Sequence, residues 1–146
     1  DASKLEFELT ETFLLENFYE CNRQLSELRD MGISIAIDDF GTGYSSLAYL
    51  NKLPCDVLKI DRSLVIDVES NLQSQTLIAN VVRLAHELNL KVVVEGIETK
   101  EQLDIINAMG CDVIQGYCIS RPLPEEGYLN LLASTKAVEM AGERHV

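Results

Sequence analysis

The chain has 146 residues, 47% apolar and 25% charged, and carries a net charge of −12. That length supports one domain with a real core, and the acidic balance excludes a basic nucleic-acid surface, so no nucleic-acid polymer is expected as a partner. No apolar run approaches the length of a membrane span.

The four cysteines, Cys21, Cys55, Cys111 and Cys118, show no C-x-x-C spacing. They read as reduced thiols of a cytoplasmic protein rather than a disulfide framework. His86 and His145 fall in a helix and in the tail, so zinc is not expected. The start, DASKLEFELT, has no basic region and no signal-like core. It enters a strand almost at once, so the chain reads as a piece of a longer protein, which could be membrane-anchored upstream.

In chain order, Leu5 to Leu9 alternates and predicts a strand. Asn17 is placed to cap a helix reaching about Asp30, with Phe18, Cys21, Leu25 and Leu28 as its apolar stripe. Gly32 fits the helix stop, and Ile33 to Asp38 is the next strand. A helix is expected from about Tyr44 to Asn51, then a short strand from Val57 to Ile60. After a polar connection comes a helix from about Leu72 to Asn89, with Leu77, Val81, Leu84, Ala85 and Leu88 on its buried face. Lys91 to Glu95 is a Val-rich strand. Thr99 and Gln102 form a capping box for a helix ending at Gly110. Asp112 to Gln115 is a last strand, and Leu123 to about Ser134 a last helix. Residues 1–134 read as one unit and residues 135–146 as a tail.

Strand–helix alternation repeated five times argues for parallel strands with helical crossovers. Side chains alternate between the two faces of a strand. Each strand then has its aliphatics on one face and a polar group near its C-terminal end on the other. A doubly wound sheet is covered on both faces and should be apolar on both. A TIM barrel is covered only outside and builds its active site from strand C-termini. The one-sided pattern therefore predicts part of a TIM-type (β/α) barrel, about five units of an eight-unit fold that takes about 250 residues. Glu8, Asp38, Lys59, Glu95 and Gln115 would converge at one mouth. A phospho-acceptor receiver domain also has five units, but its acidic pair should follow the first strand. Here the pair follows the second.

The centre of the pattern is ISIAIDDFGTGYSS, residues 33–46. Adjacent carboxylates at a strand end, Asp38 and Asp39, raise each other's pKa unless a cation lies between them. On composition alone they could equally be a helix-capping or turn pair. Lys59 could be a salt-bridge partner and Glu95 a turn acid. Gly41-x-Gly43 is a weak phosphate-loop signal. Their joint placement at successive strand ends favours a site.

These segments closely resemble the C-terminal part of an EAL domain, the bacterial cyclic-di-GMP phosphodiesterase family. The matching blocks are ELTE (8–11), DDFGTGYSS (38–46), LKID (58–61), VVVEGIET (92–99), GCDVIQGY (110–117) and SRPLP (120–124). The resemblance implies strands four to eight of a barrel. The first three, with a signature Glu and a metal-ligating Asn, are not in the chain, so the chain alone is expected to be inactive. The implied reaction is hydrolysis of cyclic-di-GMP to pGpG with two Mg²⁺ or Mn²⁺ ions. Glu8, Asp38 and Asp39 would be metal ligands, with Asp38 bridging. Glu95 would be a general base or a ligand near the attacking water, and Lys59 would orient that water. Glu11 would anchor the loop after Asp39, and that loop would support a homodimer. Gln115 and Arg121 would position water or substrate. Upstream sensor or GGDEF-type domains are implied as partners. The alternative is a non-catalytic module that senses cyclic-di-GMP or dimerises.

Overall fold

Five parallel strands form one sheet in the order of the chain: β1 (Glu6–Thr10), β2 (Ser34–Phe40), β3 (Val57–Ile60), β4 (Lys91–Val94) and β5 (Val113–Ile114). The computed structural model describes residues 1–42 and 50–142. Helices α1 (Glu11–Glu16) and α2 (Phe18–Asp30) lie between β1 and β2, α3 (Leu72–Glu87) between β3 and β4, α4 (Lys100–Ala108) between β4 and β5, and α5 (Glu125–Gly142) follows β5. A doubly wound sheet reverses its strand order at a switch point. This sheet has no reversal, as the wall of a barrel requires.

The two faces of the sheet differ as the alternation predicts. Ile35, Ile37, Leu58, Ile60, Val92 and Val94 are at most 2% exposed and belong to the core. The helices bring Cys21 and Leu25 from α2, Ile78, Val81, Val82 and Ala85 from α3, and Ile106 from α4. Burying each large aliphatic contributes about 1.5–3 kcal/mol. The opposite face is polar. Glu6, Glu8, Ser34, Val57, Lys59, Lys91, Val93, Val113 and Gln115 line a cavity of about 620 Å³ there. Both margins of the sheet carry exposed apolar side chains, Leu5 and Phe7 beside β1 and Tyr117 and Ile119 after β5. Among the described residues no helix is long and apolar enough to cross a membrane.

The capping box forms as expected. The Gln102 amide donates to Thr99 Oγ1 at 3.0 Å, and the Thr99 amide donates to Gln102 Oε1 at 3.3 Å. Other local details differ from the sequence reading. The chain winds into α1 directly after β1, because Thr10 Oγ1 accepts the Phe13 amide at 3.4 Å and caps it. Asn17 does not cap α2 with its side chain, which donates to the Phe13 carbonyl at 3.0 Å instead. Leu77 is 48% exposed. Ile78, Val81, Val82 and Ala85 form an i, i+3, i+4, i+7 set that leaves it outside the buried stripe. The last helix continues to Gly142, past the expected end near Ser134. The helix expected from Tyr44 to Asn51 lies, apart from Leu50 and Asn51, outside the described residues.

Candidate active site

Lys59 projects from the inner face of β3 and is 7% exposed. Its Nζ lies 2.8 Å from Glu8 Oε1 of β1, 3.1 Å from Asp38 Oδ1 of β2 and 2.9 Å from Glu95 Oε1 just beyond β4. The Glu95 amide donates to the Ile60 carbonyl at 3.0 Å. That bond extends the parallel ladder, so Glu95 shares the inner face with Val93. Three carboxylates thus meet one ammonium, an excess of two negative charges. Burial pulls the Lys59 pKa down. The ion pairs with Glu8, Glu95 and Asp38 outweigh it and hold the ammonium above the ordinary lysine value. Lys59 is therefore a fixed positive charge at neutral pH, not a proton donor that turns over.

Alternation alone would send Asp38 and Asp39 to opposite faces. A register shift between β2 and β3 intervenes: Ile37 pairs with Leu58, but Phe40 pairs with Ile60. The extra residue is a bulge, and Asp39 within it has φ 54°, a backbone region that Asp tolerates better than most residues. Burial, then the charges of Asp38 and Asp61, push the Asp39 carboxyl above the usual carboxylate range, with Lys59 opposing them. Asp61 was not singled out in the sequence. It lies two residues after Lys59, so period-2 alternation places it on the same face, a signal that could have found it.

Hard divalent cations take carboxylate oxygens, which this mouth supplies. Asp38 Oδ1 is buried and, beyond its contact with Lys59, has no hydrogen-bond donor among the described residues. A buried oxygen whose ammonium is shared with two other carboxylates, beside a carboxyl of raised pKa, marks a place short of positive charge. No group of three His, Cys, Asp or Glu side chains among the described residues forms a complete metal cradle. Lys59 Nζ instead sits where Glu8, Asp38 and Glu95 converge. The donor chemistry fits a hard cation beside Asp38 and Asp39. A full coordination shell needs oxygens beyond this set.

The remaining expected residues surround the mouth at different ranges. Glu11 is buried, and its Oε2 accepts the Gly41 amide at 3.3 Å. This bond ties α1 to the turn after Asp39. The Gln115 amide donates to the Val94 carbonyl at 2.9 Å. Its side chain borders both the inner cavity with Lys59 and a cleft of about 260 Å³ with Glu95, Arg62, Glu98 and Tyr117. Arg121 stands apart from the carboxylates. Its guanidinium lies 4.6 Å from the centre of the Tyr117 ring, over a separate groove of about 380 Å³.

A polar mouth at the C-terminal ends of consecutively paired parallel strands defines one side of a TIM-type barrel. The family model described as "EAL domain" matches residues 1–122, and the chain belongs to that family. Glu8, Glu11, Asp38, Asp39, Lys59, Glu95, Gln115 and Arg121 all fall within the matched span. The chain is 47% identical over 123 residues to the cyclic di-GMP phosphodiesterase NbdA of Pseudomonas aeruginosa, covering 84% of this chain and 16% of that protein. The EAL domain of Mycobacterium smegmatis DcpA superposes with a TM-score of 0.84 at 36% identity, over 92% of this chain and 60% of that one. A Klebsiella pneumoniae BlrP1 complex with manganese and cy-diGMP superposes with a TM-score of 0.79 at 37% identity, over 83% of this chain and 31% of that one. The chain thus spans less than two thirds of the length of each of these relatives.

Proposed function

We propose that this chain is the C-terminal portion of a metal-dependent phosphodiesterase that hydrolyses cyclic-di-GMP to pGpG. The observation that carries the reading is the convergence of Glu8, Asp38 and Glu95 on Lys59 at the strand ends. The family membership and the substrate named for the relatives support it. Asp38 and Asp39, with Glu8, would hold Mg²⁺ or Mn²⁺. When bound, the metal supplies charge neutralisation for an anionic phosphodiester and acidifies water.

The protein's own groups have distinct tasks. Glu95 accepts the proton of the attacking water. Lys59 holds three carboxylates in register and orients that water by exchanging one of these contacts for it. Gln115 borders both the inner cavity and the cleft, so it can position water or substrate from the last strand. Arg121 contacts substrate from the outer groove. Glu11 fixes the turn after Asp39 through Gly41, and the loop beyond it carries homodimer contacts. The free cysteines agree with a cytoplasmic setting, with sensor or GGDEF-type domains upstream.

The test is turnover of cyclic-di-GMP by the intact protein with Mg²⁺ or Mn²⁺. Product should be pGpG, and Glu95→Gln should lower kcat by about 10²–10⁴-fold, the range for a general base. Binding without hydrolysis by the wild-type protein would assign a sensing module instead. The 146-residue chain alone should turn over negligibly, since it spans only 60% of an EAL-domain structure. Turnover equal to that of the intact protein would defeat that expectation.

A further inference from the structure

We infer that the short turn Arg62–Leu64 is a brace that positions two active-site loops against each other. Arg62 and Leu64 are then positioning residues for the reaction proposed above, and the inference rests on that reading for its catalytic consequence.

The turn follows β3 directly. Asp61 Oδ1 accepts the Ser63 amide at 2.9 Å and caps it, and the Leu64 amide donates to the Asp61 carbonyl at 3.1 Å. The Asp61 amide donates to the Phe40 carbonyl at 3.3 Å. The turn is therefore bonded to the end of the strand that carries Asp38 and Asp39.

Its two side chains reach in opposite directions. Leu64 packs into the space that a side chain on Gly41 would need: a Cβ there would lie 2.4 Å from Leu64 Cδ1. Arg62 fills the same space at Gly96, where a Cβ would lie 2.4 Å from Arg62 Cγ. Both glycines have positive φ, 100° and 73°, so neither position readily accepts another residue. The Arg62 guanidinium then pairs with Glu98 Oε1 at 3.0 Å. Farther along the same connection, Glu69 accepts a hydrogen bond from Thr99 Oγ1. One side of the brace is thus the turn held by Glu11 below Asp39. The other is the loop between Glu95 and the cap of α4.

The connection that carries the turn has its own anchorage. Val65 and Val68 are fully buried. Gln75 Nε2 donates to the Val68 carbonyl at 2.8 Å, and Asp67 accepts from Asn71 Nδ2 at 2.7 Å and Ser74 Oγ at 2.8 Å. A displacement of the Asp39–Gly41 turn therefore meets Leu64 on a rigid support. It is passed through Arg62 to Gly96 and Glu98, which flank the Glu95 loop. Packed chains of this kind have few intermediate arrangements.

Two measurements test the brace. In amide nitrogen–proton spectra of the intact protein, Leu64→Ala should shift Gly96 and Glu98 as well as Gly41. Arg62→Ala, which removes the Cγ and Cδ packed on Gly96 and the pair to Glu98, should shift Gly41 and Thr42 as well as Gly96. Shifts confined in each variant to the loop directly touched would overturn the brace, whatever the enzyme's activity. In the intact protein, Leu64→Ala and Arg62→Ala should each lower kcat about tenfold with KM little changed, and together they should lose about tenfold rather than a hundredfold, because they act on one unit. Arg62→Lys, which keeps the stem over Gly96 and the charge on Glu98, should restore most of kcat. Multiplicative losses would overturn the inference. Should Leu64→Ala unfold the protein, Leu64→Val, which withdraws part of the contact with Gly41, should shift Gly96 as well as Gly41, and a shift confined to Gly41 would overturn the brace. A wild-type protein that does not hydrolyse cyclic-di-GMP would defeat the proposed function, and the spectra would still decide the brace.

Discussion

The two ends of the sheet use the same residue type in opposite ways. At the N-terminal end, Asp56 precedes β3 and Asp112 precedes β5. Asp56 Oδ1 accepts from Arg29 Nη2 at 2.6 Å, and Oδ2 accepts the Ile35 amide at 3.0 Å. Asp112 Oδ2 accepts the Val92 amide at 2.7 Å and lies 2.9 Å from His86 Nε2. Each aspartate thus clasps the first turns of a neighbouring strand and the end of the helix before it. The Val92 amide and His86 hold the Asp112 carboxyl below the usual carboxylate range. At the C-terminal end, three carboxylates share one ammonium, Asp38 Oδ1 lacks a further donor, and Asp39 is shifted upward. The lower carboxylates are satisfied and stabilise the fold. The upper ones are under-compensated, the condition in which a cation or a reacting group is recruited.

Lys59→Met should break the upper end most strongly. It leaves Glu8, Asp38 and Glu95 without their shared cation. Removing one member of a buried ionic cluster costs several kcal/mol, and partial exposure of the carboxylates reduces this to about 2 kcal/mol. Urea unfolding would measure that loss, and cyclic-di-GMP turnover by the intact protein should fall with it. Unchanged stability would mean that the three carboxylates repel one another too little to need Lys59.

Asp112→Asn sharpens the lower end. The depressed folded-state pKa means that the aspartate adds stability above its unfolded value near 3.9, and that this is lost as pH falls through the folded value. The variant should therefore be less stable by about 1 kcal/mol at pH 7, after discounting for solvent screening. The gap should close below about pH 4, while turnover by the intact protein stays unchanged. A gap independent of pH would place the effect in packing rather than in the charge. Arg29→Gln is the smallest change. It removes one half-exposed ion pair and should cost about 0.5 kcal/mol. A loss as large as that of Asp112→Asn would show that the Asp56 clasp depends on its basic partner.

The fold was largely legible because each strand writes its two faces in period 2. LEFEL, SIAID and VLKI assign Glu8, Asp38 and Lys59 to one face without any knowledge of contacts. The capping box at Thr99 was legible for the same reason, since its partners are three residues apart. Asp39 was not legible by that rule. Its place beside Asp38 depends on a bulge set by pairing with β3, and nothing local in the sequence announces a register shift. Helix α1 was hidden inside a strand-like block, because a single threonine cap decides where extended chain becomes helix. The exposure of Leu77 was a choice between two apolar stripes that only packing against the sheet could make. The brace at Arg62 and Leu64 rests on space left by glycines more than 20 residues away on either side, in Gly41 and Gly96.

The consecutive strand order also fixes how such a wall can assemble. Each strand pairs with its sequence neighbour across a short stretch, from 20 residues for Val93 with Val113 to 34 for Val57 with Lys91. Short loops close at little entropic cost, so each unit can dock as it emerges during synthesis, and the growing sheet needs no partner from a distant segment. Joining the two outer margins is a different event, because it must bring β1 and β5 into one ring, directly or through other strands. Until then Phe7 and Tyr117 stay in water. Exposed margins make closure the aggregation-exposed stage of folding, whereas the carboxylate mouth, centred on Lys59 of the middle strand, is assembled within the wall itself.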